Sequence, residues 1–146
     1  VDPKFDNFFA YREVAVFKPN RKETEEALGM RLNTRQQIEK AGHLLFEKLN
    51  PNCLMITLGE DGMAVFESSN QVSYVPTRAR KVRDVSGAGD TVISTLTMAL
   101  ASGASFPEAA SLANRAAGLV CEEVGIVPID RDRLLQTYLI EGAERG

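Results

Sequence analysis

Arg83-Asp84-Val85-Ser86-Gly87-Ala88-Gly89-Asp90-Thr91 is the stretch of this 146-residue chain with the most specific chemistry. Glycines flank one alanine, an aspartate follows at once, and an apolar helical run (Val92, Ile93, Leu96, Leu100) begins straight after. That order predicts a helix whose first N–H groups have no carbonyl to bond and whose start carries partial positive charge, which suits an anion. Glycine lets a phosphate approach the main chain closely. The amides of Gly87, Ala88, Gly89 and Asp90 are the candidate cradle, and Asp90 falls in the first helical turn beside it. A carboxylate repels a phosphate, so its place there asks for a chemical reason. The natural one is that Asp90 accepts a proton from a hydroxyl attacking that phosphate. An architectural reading of the same residues has Ser86 capping the helix, the glycines allowing close packing and Asp90 complementing the helix dipole.

Further polar segments stand out. Asn20-Arg21-Lys22-Glu23 places an asparagine three residues before a glutamate, which by itself is a helix-capping pattern. Thr57-Leu58-Gly59-Glu60-Asp61-Gly62 has the glycines of a tight turn between strands. Asn114 interrupts a run of small residues (Ala109, Ala110, Ala113, Ala116, Ala117), where an asparagine on an amphipathic helix is ordinarily exposed. Asp84, six residues before Asp90, is open to reading as a strand-end carboxylate bonded to nearby amides. His43, the one histidine, falls on a helix flank away from all of these. A single histidine excludes a Ser-His-Asp or His-based zinc constellation. No Gly-x-x-x-x-Gly-Lys-Ser/Thr occurs, which excludes a P-loop.

The elements that must position these residues alternate between strand and helix, which predicts an α/β arrangement. Val14 to Phe17 reads as a strand running into Lys18-Pro19-Asn20. Asn20 then caps a helix to about Leu28, stopped by Gly29. Thr34 and Gln37 form a capping box for a one-sided helix (Ile38, Ala41, Gly42, Leu45, Leu49) that ends before Asn50-Pro51. Cys53 to Thr57 is a buried strand. Met63 to Phe66 and Val72 to Val75 form a hairpin about Ser68-Ser69-Asn70. Val82 to Val85 leads into the glycine motif, whose helix ends near Ser102-Gly103. Ser105 with Glu108 caps the small-residue helix, and Asp130 caps a last helix carrying Leu134, Leu135 and Leu139. Without repeats or a low-complexity linker, residues 1–146 read as a single domain.

A hydrophobic content of 44% and a charged content of 25% belong to an ordinary soluble globular protein. The net charge of −3 gives no electrostatic case for nucleic acid or an anionic membrane as partner. Arg78, Arg80, Lys81 and Arg83 alternate with Ala79 and Val82 like the solvent side of a strand. Cys53 and Cys121 fit buried thiols in a reducing compartment. With no membrane-length apolar run and no signal pattern, the expected location is cytoplasmic. Val1-Asp2-Pro3 reads as the end of a strand, so a piece of a longer polypeptide is expected.

The string Asp84 to Thr91, with its Gly-Ala-Gly-Asp core, resembles the second signature of the ribokinase-like (PfkB) carbohydrate kinases. Asn20-x-x-Glu23 resembles a second motif of that family. The likeness implies the C-terminal, nucleotide-binding half of a ribokinase-like three-layer α/β sandwich with a mainly parallel sheet and a β-hairpin. It further implies an ATP-dependent sugar kinase with Asp90 as base. Asn20 and Glu23 would organise Mg2+ and phosphates, the glutamate largely through water, with Arg21 and Lys22 lining the same nucleotide segment. Thr57, Gly59 and Gly62 would lie under the phosphates and ribose, and Asn114 near the base, with Gly125 keeping the family's spacing. Asp84, with carbonyls of the 123–125 loop, would hold a monovalent cation such as K+. Val1-Asp2-Pro3-Lys4, Lys18-Pro19-Asn20, and Val75-Pro76-Thr77-Arg78-Ala79-Arg80 resemble the branch that phosphorylates D-glycero-β-D-manno-heptose 7-phosphate at O1 in ADP-heptose and lipopolysaccharide precursor synthesis. A free-sugar acceptor, as in ribokinases or fructokinases, and a nucleotide-binding module without transferase activity are the alternatives. The sugar-contacting half and its dimer interface would lie outside the chain, and a homodimer is implied only for the full-length enzyme. Thr95 stands where the family usually has Gly or Ala, and Gly125-Ile126-Val127 lacks the usual small residue after the glycine.

Overall fold

The computed structural model describes residues 1–77 and 85–143. Asp84, the basic cluster and most of the strand expected over 82–85 lie outside the described residues. Two compact units divide the chain, Val1–Pro76 and Thr77–Gly146.

In the first unit β1 (Val16–Phe17), β2 (Cys53–Thr57), β3 (Met63–Ser68) and β4 (Gln71–Val75) form one sheet in the order β1-β2-β3-β4. β1 pairs with β2 in parallel, whereas β2–β3 and β3–β4 are antiparallel. The α/β class and the hairpin are therefore as expected, but the described sheet is parallel only at β1–β2. The reason is local: Gly59 to Gly62 is too short for a crossover, so β3 must return beside β2. β1 is also two residues shorter than the pattern predicts. Val14 and Ala15 still accept from the amides of Asn52 and Cys53, but the chain enters from Glu13 at φ 54°, and regular pairing begins only at Val16. Val1 lies alongside β1, its N–H donating to the Val16 carbonyl and its own carbonyl accepting from Lys18 N.

Helices α1 (Arg21–Leu28) and α2 (Arg35–Leu49) start at Asn20 and Thr34, each with a complete capping box. The buried stripe of α2 is Ile38, Ala41, Gly42, Leu45 and Leu49, as its spacing dictates. Together with Phe17, Leu54, Ile56 and Phe66 it makes the core of this unit. A 3₁₀ segment, Phe5–Ala10, was not legible in the sequence; it sets Phe8 edge-on to Phe17, ring centres 5.1 Å apart.

Gly42 brings α2 directly onto Phe66 of β3. A Cβ built there would stand 2.2 Å from two ring carbons of Phe66, itself fully buried. Gly42→Ala should cost about 1–3 kcal/mol through overpacking, despite alanine's better helix propensity. Thermal unfolding checks this, and adding Phe66→Leu should recover much of the loss.

Cys53 and Cys121 are buried, and neither forms a disulfide among the described residues. Burial, aided by the charge of Glu67, pushes the Cys53 thiol up to about 12. At pH 8 its thiolate fraction is then only ~10⁻⁴. Iodoacetamide at pH 8 should spare Cys53 in the native chain and modify it fully in denaturant, read by peptide mass spectrometry.

In the second unit α3 (Ala88–Ala101) packs on α4 (Phe106–Cys121), and α5 (Arg131–Ala143) follows. Ser105 and Glu108 form a third capping box, and Asp130 accepts from Arg133 N at 2.7 Å. Ala109, Ala110, Ala113 and Ala116 are completely buried, which lets helix backbones approach closely. Arg115, also buried, donates to the Thr137 carbonyl and lies 5.2 Å from the Tyr138 ring centre, tying α4 to α5. Among the described residues no helix is long and apolar enough to cross a membrane.

Candidate functional site

Candidate residues fall in both units, and each group has its own geometry. In the first, β1 and β2 end side by side. Thr57 N donates to the Pro19 carbonyl at 3.0 Å, and Asn20 and Thr57 form a parallel bridge beyond the named strands. The start of α1 and the loop after β2 are thereby brought together at the carboxyl ends of two parallel strands, where α/β sheets bind ligands. Asn20 Oδ1 accepts from Glu23 N at 2.8 Å, and Glu23 Oε2 accepts from Asn20 N at 2.8 Å. The architectural reading of this motif is therefore realised, and a metal role would have to be served by the same two side chains.

Thr57 is half-buried, Gly59 exposed and Gly62 buried. Gly59–Asp61 is one 3₁₀ turn, closed by Gly62 N donating to the Gly59 carbonyl at 3.0 Å and Leu58 N to the Gly62 carbonyl at 2.8 Å. Arg21 and Lys22, both expected to line the nucleotide segment, differ in placement. Lys22 is exposed, 3.8 Å from Glu26 on its own helix, whereas Arg21 reaches across to Asp61. A cavity of about 480 Å³ opens beside this pair, lined among others by Asn33, Arg35, Leu58 and Tyr74. Sequence reasoning passed over Asp61. Its signal was an aspartate between the two glycines of the loop.

The second group sits at the start of α3. Gly87 is the N-cap at φ 77°, a left-handed conformation that a residue with a Cβ resists, and such a Cβ would also meet Ile126 Cγ2 at 3.3 Å. Among the described residues no side-chain cap bond is made at this N-cap. Gly87, and not Ser86 as offered above, occupies the cap position. Ala88 N donates to the Val85 carbonyl at 3.2 Å and Thr91 N to the Gly87 carbonyl at 2.9 Å. By helix geometry the amides of Gly89 and Asp90 have no carbonyl in the helix to bond. Open space lies where a Gly89 Cβ would be, and Asp90 is exposed in the first turn. Main-chain donors, positive helix end and carboxylate thus coincide at one solvent-facing point.

Asn114 is buried in α4, 9% exposed, contrary to the usual expectation for an asparagine on such a helix. Asp84 lies outside the described residues. Gly125 has φ 85°, and the contact between Gly87 and Ile126 places its loop beside the α3 start. No group of three or more His, Cys, Asp or Glu converges into a ready-made metal cage among the described residues.

The chain is similar to known proteins over most of its length. The chain is 43% identical over 135 residues to the bifunctional protein HldE of Paramagnetospirillum magneticum, a match covering 92% of the chain and 28% of that protein. With HldE of Geobacter sulfurreducens it shares 46% over 125 residues, 86% of the chain and 26% of the relative. It therefore spans under a third of the length of these relatives. Arabidopsis thaliana ribokinase, solved with ribose and ATP, superposes with a TM-score of 0.77 at 27% identity over 93% of this chain and 43% of that one. Escherichia coli phosphofructokinase-2, solved with substrates and products, gives 0.83 at 22% identity over 96% and 46%, a likeness of fold alone. The pfkB family carbohydrate kinase model matches residues 8–131, and the chain belongs to that family.

Proposed function

We propose that this chain is the nucleotide-binding part of an ATP-dependent sugar kinase whose acceptor is D-glycero-β-D-manno-heptose 7-phosphate, phosphorylated at O1. The observation that carries the reading is the α3 start, where a left-handed Gly87 is the N-cap and the first turn presents an exposed Asp90. Gly89 and Asp90 amides would hold oxygens of the transferred phosphoryl group. The acceptor oxygen bonds to the γ-phosphorus as the bond to the β–γ bridging oxygen breaks, its proton passes to Asp90, and ADP leaves. The heptose acceptor is supported by the relatives' likeness and by the Val1–Lys4 and Val75–Arg80 segments.

Asn20 and Glu23 are the residues to hold Mg2+. One amide oxygen and one carboxylate, with no acidic cage among the described residues, suit a cation that keeps most of its water and takes phosphate oxygens as further ligands. When bound, the ion neutralises charge on the β- and γ-phosphates. The family likeness further offers Thr57, Gly59, Gly62 and Asn114 as nucleotide contacts, and Asp84 with the 123–125 loop as a K+ site.

A second reading is favoured by one observation, the limited span relative to HldE: the 146-residue chain binds nucleotide without transferring phosphate. Titration calorimetry with magnesium ADP and a coupled ADP-release assay test both. Binding with sugar-dependent release supports the kinase in this chain itself. Binding without release assigns transfer to a longer polypeptide, and no binding removes the nucleotide site.

A further inference from the structure

We propose that Arg21 and Asp61 are a positioning pair, holding the Gly59–Gly62 loop against the start of α1, so that Arg21 serves the nucleotide site through Asp61 instead of touching the nucleotide. The inference rests on the nucleotide reading above and deepens it.

Arg21 is the first residue of α1, immediately after Asn20, and its guanidinium donates to Asp61 Oδ2 across forty residues of sequence. The side chain of Arg21 is 33% exposed and its Nε is buried without a partner among the described residues, so the group is packed down on the loop and not extended into solvent. On the loop side, Asp61 N makes only a long bond, 3.4 Å, to the Leu58 carbonyl. Glycines at both ends make the segment intrinsically permissive. The backbone bridge between Asn20 and Thr57 fixes the base of the loop, and the ion pair fixes its tip to the same helix start. Two segments that must present groups to one ligand are thus held in register by a charged hydrogen bond. An ion pair this exposed is weak, and its effect is to select one loop conformer from several, which scales apparent affinity by the fraction of loops already in place.

The test uses the chain with Arg21→Met, Asp61→Asn, both together, and the swap Arg21→Asp with Asp61→Arg. Amide hydrogen exchange at Leu58 and Gly62, measured without ligand, should rise about 2–5-fold in each single variant, the range an exposed pair can supply. The double variant should add nothing further, and the swap should recover part of the protection. The dissociation constant for magnesium ADP should rise by a similar factor in each single variant and no more in the double. Unchanged exchange in Asp61→Asn overturns the pair. So does a further loss of ADP affinity when Arg21→Met is added to Asp61→Asn, because the arginine then touches nucleotide directly. If the unaltered chain binds no magnesium ADP, the nucleotide reading fails, and the exchange experiment still decides the pair.

Discussion

Asp90→Asn is expected to lower turnover about 10²–10⁴-fold, the share a positioned base contributes, while magnesium ADP binds as tightly as before or more tightly. Asparagine keeps the size and polarity of the side chain at the third position of α3 but cannot accept the proton of an attacking hydroxyl. Affinity should not suffer, because removing a negative charge beside the phosphates relieves repulsion at a helix start that favours anions. Coupled ADP release with ATP and heptose 7-phosphate, in a polypeptide that also presents the acceptor, gives the rate; calorimetry gives the affinity. A loss of both together would mean that Asp90 shapes the helix start. Near-normal turnover would take it out of the proton path.

The second large effect is on stability. Lys18 is 3% exposed, and its ammonium lies 2.6 Å from Asp2 Oδ1, with Asp2 itself 26% exposed. Asp2→Ala leaves the buried ammonium uncompensated, whereas Lys18→Met leaves a carboxylate that still reaches water and keeps Lys4 3.7 Å away. Asp2→Ala should therefore cost about 3 kcal/mol, and Lys18→Met should stay within about 1 kcal/mol of the original. Against a total of roughly 5–15 kcal/mol the first is severe. Urea unfolding of the two variants side by side is the measurement. Equal losses would show that the pair acts through packing and not through charge.

Much of the architecture was legible because it is written in local chemistry. Both ends of α1 and α2 follow from Asn20, Gly29, Thr34 and Asn50, and β2 matches its expected bounds because a continuous apolar run from Cys53 can only be buried. What escaped depends on partners far away in sequence. The Phe5–Ala10 turn exists because Phe8 finds Phe17, and the buried state of Lys18 exists because Asp2 reaches it. Likewise the bond from Arg21 to Asp61 joins residues forty positions apart, which no local pattern announces. Arg115 gave no signal at all, since an arginine in a helix is ordinarily solvated, and here it holds the Thr137 carbonyl. The start of α3 was foreseen from glycine and aspartate order, but that Gly87 itself would be the cap follows only from its φ of 77°.

Three helices open with the same reciprocal side-chain pattern, Asn20 with Glu23, Thr34 with Gln37, and Ser105 with Glu108. Neither the second nor the third is offered as a metal ligand, which makes them an internal yardstick, although Thr34 also lines the cavity beside Arg21 and Asp61. Truncating Thr34 or Ser105 measures what finishing a helix is worth in this polypeptide, typically about 1 kcal/mol. Any excess penalty on truncating Asn20 or Glu23, seen only with magnesium and nucleotide present, is then the share those two side chains give to the ion. Ligation there would compete with helix closure, so uptake of the proposed ion and the order of the first turn of α1 should rise and fall in opposition.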